Sequence, residues 1–329
     1  MGRRVVRVIA PVGVGLVVML GAGCASGSGP GPVTGVEKPN LTVGAVPVAD
    51  EAGLYIAADR GLFKAAGLNV KINPIVSSAD AVKAQNAGTY DITAGNSVSY
   101  IQAQAAGRSN LEIIAEGSLM QPGNQALYTL PRSTITTLAD LRGRRIGVNA
   151  LNNIGTLLIS SVLEEQGISP QDVHFVPVNF PQMGQALQQH VIDAAWLPEP
   201  FGSQDVSSFG LQEVTDLNQG ATMSFPVGWY VVTKAWAKRY PHTLAAFLSA
   251  LRQGQEIADV DRAAVEQAME KLPFPYTVPP VIAAIMSLES YPLTTSPNID
   301  RTRVQRVADA MYQFRLLTHP FRTSSMLGS

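Results

Sequence analysis

Polar side chains that suit a ligand stand together where a predicted strand is followed by the start of a helix. The stretch RRIGVNALNNIGTLLI (144–159) begins with a strand-like run at Arg145–Val148, and helical spacing of apolar residues starts at Ile154. Asn152 and Asn153 are typical N-cap residues. Backbone N–H groups at a helix start attract an anion or a polar head group. The candidate ligand residues are Asn149, Asn152, Gly155 and Thr156; the alternative is an ordinary capped helix.

A second candidate group follows a strand predicted to begin at Asp193. Trp196 lies at the end of this strand, where an indole could stack on a flat ligand or enclose an alkyl chain; core packing is the alternative. Glu199 lies in the Pro-rich turn that comes next and offers acceptors to a ligand amine or ring N–H. It could equally cap a helix or hold a hinge. Trp229 is a further aromatic candidate.

Four polar residues in the first half of the chain also follow predicted strands. Asp50 lies in the turn after the first strand, and Ser118 comes shortly after a later one. Asn96 and Ser97 follow a third strand and also begin a helix, so helix capping is the alternative to ligand binding.

Two stretches of the chain, about a hundred residues apart, share one order of strands, helices and turn residues. In each stretch a glycine lies in the first strand (Gly44, Gly147) and an aspartate opens the third strand (Asp91, Asp193). Further matches at about the same offset are Gly67 with Gly167 and Pro74 with Pro177. We therefore predict two copies of a βαβαβ unit. Each copy forms a doubly wound sheet flanked by helices, with ligands off the carboxyl ends of its strands.

Two strand-like runs flank the second copy, QALYTLP at Gln125–Pro131 and VGWYVVT at Val227–Thr233. We predict that they pair with each other as a two-strand hinge, and that C-terminal helices cover the first lobe. The predicted fold class is therefore α/β with two lobes, the first formed by residues 40–130 and 227–329 and the second by residues 131–226. Such lobes enclose a cleft that can close on a ligand.

The N-terminus has the features of an export signal. Three arginines within the first seven residues precede an apolar, Gly-rich run that ends at Cys24, the only cysteine. We predict a signal peptide over residues 1–23, lipidation of Cys24, and a flexible tether over residues 24–39. The leucine of the lipobox-like LGAG lies one position earlier than usual. A plain signal peptide or an N-terminal anchor helix is the alternative.

The composition excludes several classes of protein. With 46% hydrophobic and 15% charged residues over 329 positions, the chain is globular and long enough for two domains. Its formal charge of −1 leaves no basic stripe that would suggest nucleic acid. The four histidines are scattered, and neither a phosphate-binding loop nor a nucleophile elbow is present. We therefore predict no catalytic residues, no metal and no cofactor.

Four motifs are specific enough to indicate a family. They are AGLYIAADRGLFKAAGLNV (52–70), DITAGNSVSYIQAQAAG (91–107), TTLADLRGRRIGV (136–148) and DAAWLPEPF (193–201). In this order they resemble solute-binding proteins of ABC importers for sulfonates, taurine, nitrate and thiamine-precursor pyrimidines. The resemblance extends from Leu41 to about Leu317. It implies a type II periplasmic-binding-protein fold, ligand capture in the cleft, and delivery to a membrane permease with its ATPase.

The helix start with its asparagines favours a small sulfonate-like anion of the taurine, alkanesulfonate or nitrate class, and this is the ligand class that we predict. Trp196 and Glu199 instead favour a flat, amine-bearing ring such as a thiamine-precursor pyrimidine. Two other classes stay open, a pyrimidine-synthase-like enzyme, which the family includes in eukaryotes, and the sensor domain of a receptor. We expect a monomer outside the cytoplasmic membrane, attached only by the lipid on Cys24, with a permease and its ATPase as partners.

Overall fold

The computed structural model describes Gly2 and residues 35–328. The predicted signal peptide, Cys24 and most of the predicted tether therefore lie outside the described residues. Within the described part of the chain, none of the helices has the length and apolar character needed to span a bilayer.

The first of two sheets has five strands, four of which run in one direction. Their spatial order is Asn69–Pro74 (β2), Asn40–Ala45 (β1), Ile92–Asn96 (β3), Pro226–Thr233 (β10) and Leu111–Leu119 (β4). Only β10 is antiparallel to its neighbours. The helices of this first lobe are Ala52–Asp59 (α1), Leu62–Ala65 (α2), Ser78–Asn86 (α3) and Ser97–Ala105 (α4).

The second sheet repeats this arrangement. Its strands, again in spatial order, are His174–Pro177 (β7), Arg145–Val148 (β6), Ala194–Pro198 (β8), Gln125–Thr129 (β5) and Gln212–Asp216 (β9). Here β5 is the single antiparallel strand. The helices of this second lobe are Ile154–Glu165 (α5), Met183–Gln188 (α6) and Phe201–Phe209 (α7).

The two copies agree at the level of individual contacts. In the first, the Thr42 N–H donates to the Asp91 carboxylate (N···O 2.9 Å), and the Asp91 N–H donates to the Thr42 carbonyl (2.9 Å). In the second, Arg145 and Asp193 make the same reciprocal pair, both at 2.8 Å. Each aspartate thereby ties the third strand of its unit to the first. The predicted duplication and the two-lobed α/β fold are confirmed.

The paired glycines have a common steric reason. A Cβ on Gly44 would lie 2.8 Å from the ring of Tyr90, and a Cβ on Gly147 would lie 2.5 Å from Cδ1 of Ile192. Tyr90 and Ile192 are the residues that immediately precede the two anchoring aspartates. Both first strands therefore need a residue without a side chain at this point.

The predicted hinge pairing is wrong. Instead of pairing with each other, β5 and β10 are exchanged between the sheets. β5 follows the first copy but joins the second sheet, and β10 follows the second copy but joins the first. Each fills the space between two parallel strands of the other lobe, where its backbone groups find partners on both sides. The lobes are thus joined by two chain crossings that end in separate sheets.

The C-terminal third is helical and covers the first lobe, as predicted. Its helices are Lys234–Arg239 (α8), Pro241–Val260 (α9), Arg262–Glu270 (α10), Pro280–Ala283 (α11) and Arg301–Gln313 (α12). On one face of the first sheet, Phe247 of α9 stacks on Phe63 of α2 with ring centroids 5.0 Å apart. Val304 and Val307 of α12 belong to a core cluster that continues into the second lobe.

The end of the predicted tether is bound to the first lobe. The Glu37 carboxylate accepts the N–H groups of His242 and Thr243, which begin α9, and Lys38 forms an ion pair with Asp91. These backbone N–H donors outweigh burial and lower the pKa of Glu37 to about 2. The prediction of flexibility up to residue 39 therefore needs correction for Glu37 and Lys38. A carboxylate at a helix N-terminus is held by otherwise unpaired donors.

Candidate functional site

A cavity of about 30 Å³ lies between the two lobes. By the measure in which one water occupies about 10–15 Å³, this space holds about two or three waters, so an organic solute needs the lobes to stand further apart. Both lobes contribute to the lining, which contains no lysine, arginine or histidine. The lining residues are Val46, Val48, Asp50, Glu51, Gly95, Asn96, Gln125, Asn149, Ile154, Phe180, Trp196, Pro198, Val227 and Gly228.

The first-lobe wall has two buried acids in the short 3-10 turn between β1 and α1. Asp50 is 4% exposed and Glu51 is fully buried. Asp50 accepts a hydrogen bond from the Ser118 hydroxyl (2.6 Å), which explains the role of Ser118 even though it does not line the cavity. Neither carboxylate oxygen of Glu51 makes a well-formed hydrogen bond. A buried carboxylate without partners is costly, so this wall is prepared for a donor.

The environment of these acids favours their protonated forms. Burial raises the pKa of Asp50, although hydrogen bonds from Ser118 and Glu289 act in the opposite direction. Burial raises the pKa of Glu51 well above its usual range, and the neighbouring charge of Asp50 raises it further, against a hydrogen bond with Tyr230 that lowers it. Like charges in a buried site cannot all be ionised without a counter-charge.

The second-lobe wall is built around the indole of Trp196. Its ring contacts Phe180 edge-on, with centroids 5.4 Å apart, and it is 2% exposed. Gly155 makes room for it, because a Cβ there would lie 2.3 Å from the indole. The structure thus brings Gly155 and Trp196 together, and Gly155 serves the indole by close approach. The wall is flat, aromatic and uncharged.

In addition to Glu51, two buried polar side chains of the lining lack hydrogen-bond partners. Neither side-chain amide atom of Gln125 makes a hydrogen bond, although the residue is only 1% exposed. The Trp196 Nε1–H also has no acceptor. Unpaired polar atoms are rare in protein interiors because each costs about 1–3 kcal/mol. Together these groups offer both donors and acceptors to a polar solute.

Two predicted residues line the cavity but already have partners. Asn96 caps α4 by accepting the Ser99 N–H (2.9 Å), and its amide group donates to Ser78 (3.0 Å). The Asn149 amide donates across the cleft to the Val76 carbonyl (3.3 Å). Asn149 therefore links the second lobe to the loop after β2.

Besides Ser118, Gly155 and Glu199, four predicted residues are absent from the cavity lining. The side chain of Asn152 is exposed, and only its carbonyl bridges the lobes by accepting from Gln102 (2.7 Å). The Thr156 hydroxyl donates to the Asn153 carbonyl (2.7 Å) within the first turn of α5. Ser97 and Trp229 lie behind the lining. The buried Ser97 hydroxyl donates to the Pro226 carbonyl (3.0 Å), and Trp229 is part of the hydrophobic core.

Glu199 joins the lobes. Its carboxylate accepts from the Ser203 hydroxyl (2.7 Å) in α7 and from the Ser287 N–H (3.1 Å) in the C-terminal region. Its backbone carbonyl accepts the Ala49 N–H of the first lobe (3.0 Å). Burial raises the pKa of Glu199, against hydrogen bonds that lower it. Of the roles that the sequence allowed for Glu199, these bonds correspond to helix capping and to a contact at the hinge.

Sequence reasoning missed several lining residues. Glu51 follows Asp50 in the turn after the first strand, and only Asp50 was singled out there. Gln125 was assigned to a hinge strand, and Phe180 to no site at all. Their approach to the cavity depends on the strand exchange and on a loop between β7 and α6, neither of which leaves a local pattern. Among the described residues, no group of three His, Cys, Asp or Glu side chains is arranged to hold a metal ion.

The NMT1/THI5-like family pattern matches residues 48–261, more than half of the chain. The chain belongs to this family. A curated relative, the nitrate import ATP-binding protein NrtC of Synechocystis sp., is 26% identical over 261 residues, which cover 74% of this chain and 38% of the relative. A putative thiamine biosynthesis protein of Haemophilus influenzae is 28% identical over 131 residues, 40% of each chain. This family member thus spans about two fifths of the length of these relatives.

Solved structures share the fold of this family member. The alkanesulfonate-binding protein SsuA from Xanthomonas axonopodis pv. citri, bound to MOPS, is similar at a TM-score of 0.73 and 18% identity, over 89% of this chain and 99% of SsuA. The desulfurization enzyme DSZB is similar at 0.65 and 17% identity, over 88% and 96%. At such identities the likeness shows the fold alone. The predicted periplasmic-binding-protein fold is confirmed.

Proposed function

We propose that the protein is the solute-binding component of an ABC importer that captures a small amine-bearing solute between its lobes. The observation that carries the proposal is the interlobe cavity with unpaired polar groups from both lobes. In this proposal, the lipid on Cys24 holds the protein at the outer face of the cytoplasmic membrane, and a permease with its ATPase receives the solute. The protein acts as a monomer without a cofactor.

Contacts across the cleft support capture by closure. Asn149 reaches the Val76 carbonyl, Gln102 reaches the Asn152 carbonyl, and the Ala49 N–H reaches Glu199. All three are single hydrogen bonds that form and break without disturbing either sheet. Hinged lobes held by such contacts can open to admit a solute and close around it.

The charge of the lining determines which solute class we favour. An anion such as nitrate or a simple sulfonate needs cationic or N–H donors, and it would face the carboxyls of Asp50 and Glu51. An amine or ring N–H finds acceptors in those carboxyls, and a flat ring finds the indole of Trp196. This combination favours a small amine-bearing heterocycle, such as an aminopyrimidine, over the simple anion that the sequence suggested.

A zwitterion such as taurine is the second candidate. Helix α5 begins beside the cavity, and the side chain of its N-cap residue Asn153 accepts no hydrogen bond from the first N–H groups of the helix. Its first N–H groups are therefore suited to a sulfonate, while the ammonium group would lie near Asp50 and Glu51. Taurine would use both walls, whereas nitrate would use only one.

Binding without catalysis is part of the proposal. The polar lining groups are two carboxyls, three amides and one indole, with no nucleophile–base pair among them. The enzymatic alternative is therefore tested together with binding, by measuring whether a bound solute is recovered unchanged.

A thermal-shift series on the purified protein tests the proposal. We expect 4-aminopyrimidine or taurine to raise the melting temperature, and nitrate, bicarbonate and methanesulfonate to leave it unchanged. Ligand at a hundredfold excess over its Kd adds about 2.7 kcal/mol to the free energy of unfolding. Glu51→Gln is the matched variant, because it removes the carboxyl while keeping its size.

Stabilisation by nitrate or methanesulfonate alone would restore the simple-anion alternative. Failure of every small solute to stabilise the protein would contradict the binding function itself. Conversion of the solute during incubation would assign the fold an enzymatic role in this chain.

A further inference from the structure

Three carboxyl groups meet at the first-lobe end of the cavity. Asp50 and Glu51 line it, and Glu289, which is 7% exposed, lies behind Asp50 and beside Ser118. Oε1 of Glu51 lies 3.5 Å from the position that a Cβ on Gly228 would take, at the lining itself. The set is therefore open to a ligand on one side and closed by protein on the other.

The groups around these acids supply no positive charge. The turn that carries Asp50 and Glu51 packs against α1, β3, β4 and β10, and the titratable groups that act on the three acids or on their neighbours are acidic or phenolic. They are Tyr55, Tyr100, Tyr230, Tyr276, Tyr291 and Asp259. Burial raises the pKa of all three carboxyls, and for Glu51 and Glu289 the charge of Asp50 adds to this. Protons must therefore replace the missing cation.

The three acids have different roles because their contacts differ. Asp50 accepts from Ser118 and also from Glu289, which can donate only when it carries a proton. Glu289 is thus a positioning residue that keeps its proton and orients Asp50. Glu51 has the phenol of Tyr230 as its neighbour, and neither of its oxygens makes a well-formed hydrogen bond. It is the acid whose proton a ligand can replace.

We propose that Asp50 and Glu51 bind a cationic nitrogen of the ligand, an ammonium or amidinium group, and that Glu51 releases its proton to the solvent as this cation enters. The inference rests on the proposed function and adds the charge of the ligand and the proton exchange to it. The charge balance is complete: one positive charge enters with the ligand, and one leaves as the proton. Glu51 becomes a carboxylate that is paired with the ligand cation, which removes the cost of burying it alone.

Titration calorimetry of the purified protein in buffers of different ionisation enthalpy tests the exchange. The probes are acetamidinium and benzamidinium, which keep their charge between about pH 5.5 and 8, with benzamide and benzoate as neutral and anionic counterparts of the latter. We expect the amidinium probes to bind with release of about one proton. Their affinity should rise with pH, by up to tenfold per unit below the pKa of Glu51.

Variants separate the roles of the acids. Glu51→Gln should weaken amidinium binding by about 10–100-fold and abolish proton release. Glu289→Gln keeps a donor toward Asp50, so proton release and its pH dependence should persist. Asp205→Asn removes a buried acid that is not among the residues lining the cavity and should change neither quantity.

Several outcomes would overturn the inference. Amidinium binding without proton exchange, or proton release that persists in Glu51→Gln, contradicts the assigned role of Glu51. Preference for benzamide or benzoate over benzamidinium contradicts the cationic ligand but leaves solute binding intact. If the whole solute series of the thermal-shift experiment also fails, the proposed function fails with it.

Discussion

The two walls of the cavity come from corresponding parts of a duplicated unit, yet they carry opposite chemistry. After β1 the chain forms a turn with the buried acids Asp50 and Glu51. After β6 the corresponding turn carries Asn149 and leads into α5, where Gly155 makes room for Trp196. One wall provides charge and acceptors, and the other provides a flat apolar surface.

The difference shows where a duplicated scaffold is free to change. The aspartate that ties the third strand to the first is the same in both copies, and so is the glycine beneath the preceding side chain. These positions fix the sheet, so both copies need them. The turns at the carboxyl ends of the strands contribute little to the sheets, and their chemistry can follow the ligand.

The largest effect should come from the aromatic wall. Trp196→Ala removes a nearly fully buried indole and leaves a cavity, so we expect the free energy of unfolding to fall by about 3–5 kcal/mol. Urea denaturation measures this loss. Trp236→Ala, at a half-buried indole of the first lobe, is the control with a smaller expected loss. A loss below about 1 kcal/mol at Trp196 would mean that this wall is not held by packing.

A buried acid of the second lobe should respond to pH. Burial raises the pKa of Asp205 to about 7, against a hydrogen bond from the Gly184 N–H. The folded state then binds more protons than the unfolded state between about pH 4 and 7, so stability falls as the pH rises through this window. Asp205→Asn should therefore stabilise the protein by about 2–4 kcal/mol at pH 8 and by much less at pH 4.

Asp193 provides the opposite control. Hydrogen bonds with Arg145 lower the pKa of Asp193, against burial, which raises it. Asp193 therefore stabilises the folded state at a pH above its pKa in the unfolded chain, and this stabilisation is lost as the pH falls through its pKa in the folded protein. Asp193→Asn should accordingly destabilise at pH 8. Thermal unfolding at several pH values compares the two variants. If both variants changed the stability in the same direction at pH 8, the raised pKa of Asp205 would be contradicted.

A substitution in the acidic wall should lower ligand affinity without lowering stability. Asp50→Asn keeps an acceptor for Ser118 but removes the charge, so we expect benzamidinium to bind about 10–100-fold more weakly. The free energy of unfolding should stay unchanged or rise, because a buried acid is removed. Trp196→Ala should lower stability instead. Calorimetry and denaturation on the same preparations give both quantities, and a large loss of stability in Asp50→Asn would assign Asp50 a structural role.

The shared scaffold should respond alike in the two lobes. Gly44→Ala and Gly147→Ala each push a methyl group against a neighbouring side chain, which should cost about 1–2 kcal/mol. The cost should be larger at Gly147, because Ile192 is buried whereas Tyr90 is half-buried and can move. Denaturation midpoints measure both variants. An unchanged free energy of unfolding in either variant would contradict the structural equivalence of the two copies.

Much of the fold was predictable because it depends on local patterns. The strand at Arg145–Val148 and the helix that starts at Ile154 were predicted with the observed boundaries, and the two aspartates led to the duplication. The exchange of β5 and β10 was not predictable, because a strand-like run does not state which sheet it joins. Pairing partners are decided by contacts between residues far apart in the chain, such as Gly228 with Asn96 and Gln125 with Pro198.

The site was less predictable than the fold for a related reason. Position after a strand directed attention to Asp50, Asn96, Asn149 and Trp196, which line the cavity. It did not reveal that Glu51 is buried without partners, since a helix start and a cavity wall look the same in sequence. It also directed attention to Asn152, whose backbone φ of 53° turns the side chain into solvent.

The smallest effect should therefore come from Asn152. Asn152→Gly removes its side chain, tolerates the left-handed backbone and keeps the carbonyl that accepts from Gln102, so stability should change by less than about 0.5 kcal/mol. Ligand affinity should be unchanged for benzamidinium and taurine alike. Gln102→Ala, which removes the cross-lobe donor, is the comparison variant. A tenfold weaker affinity for taurine in Asn152→Gly would place the ligand at the outer start of α5, outside the cavity that both walls enclose.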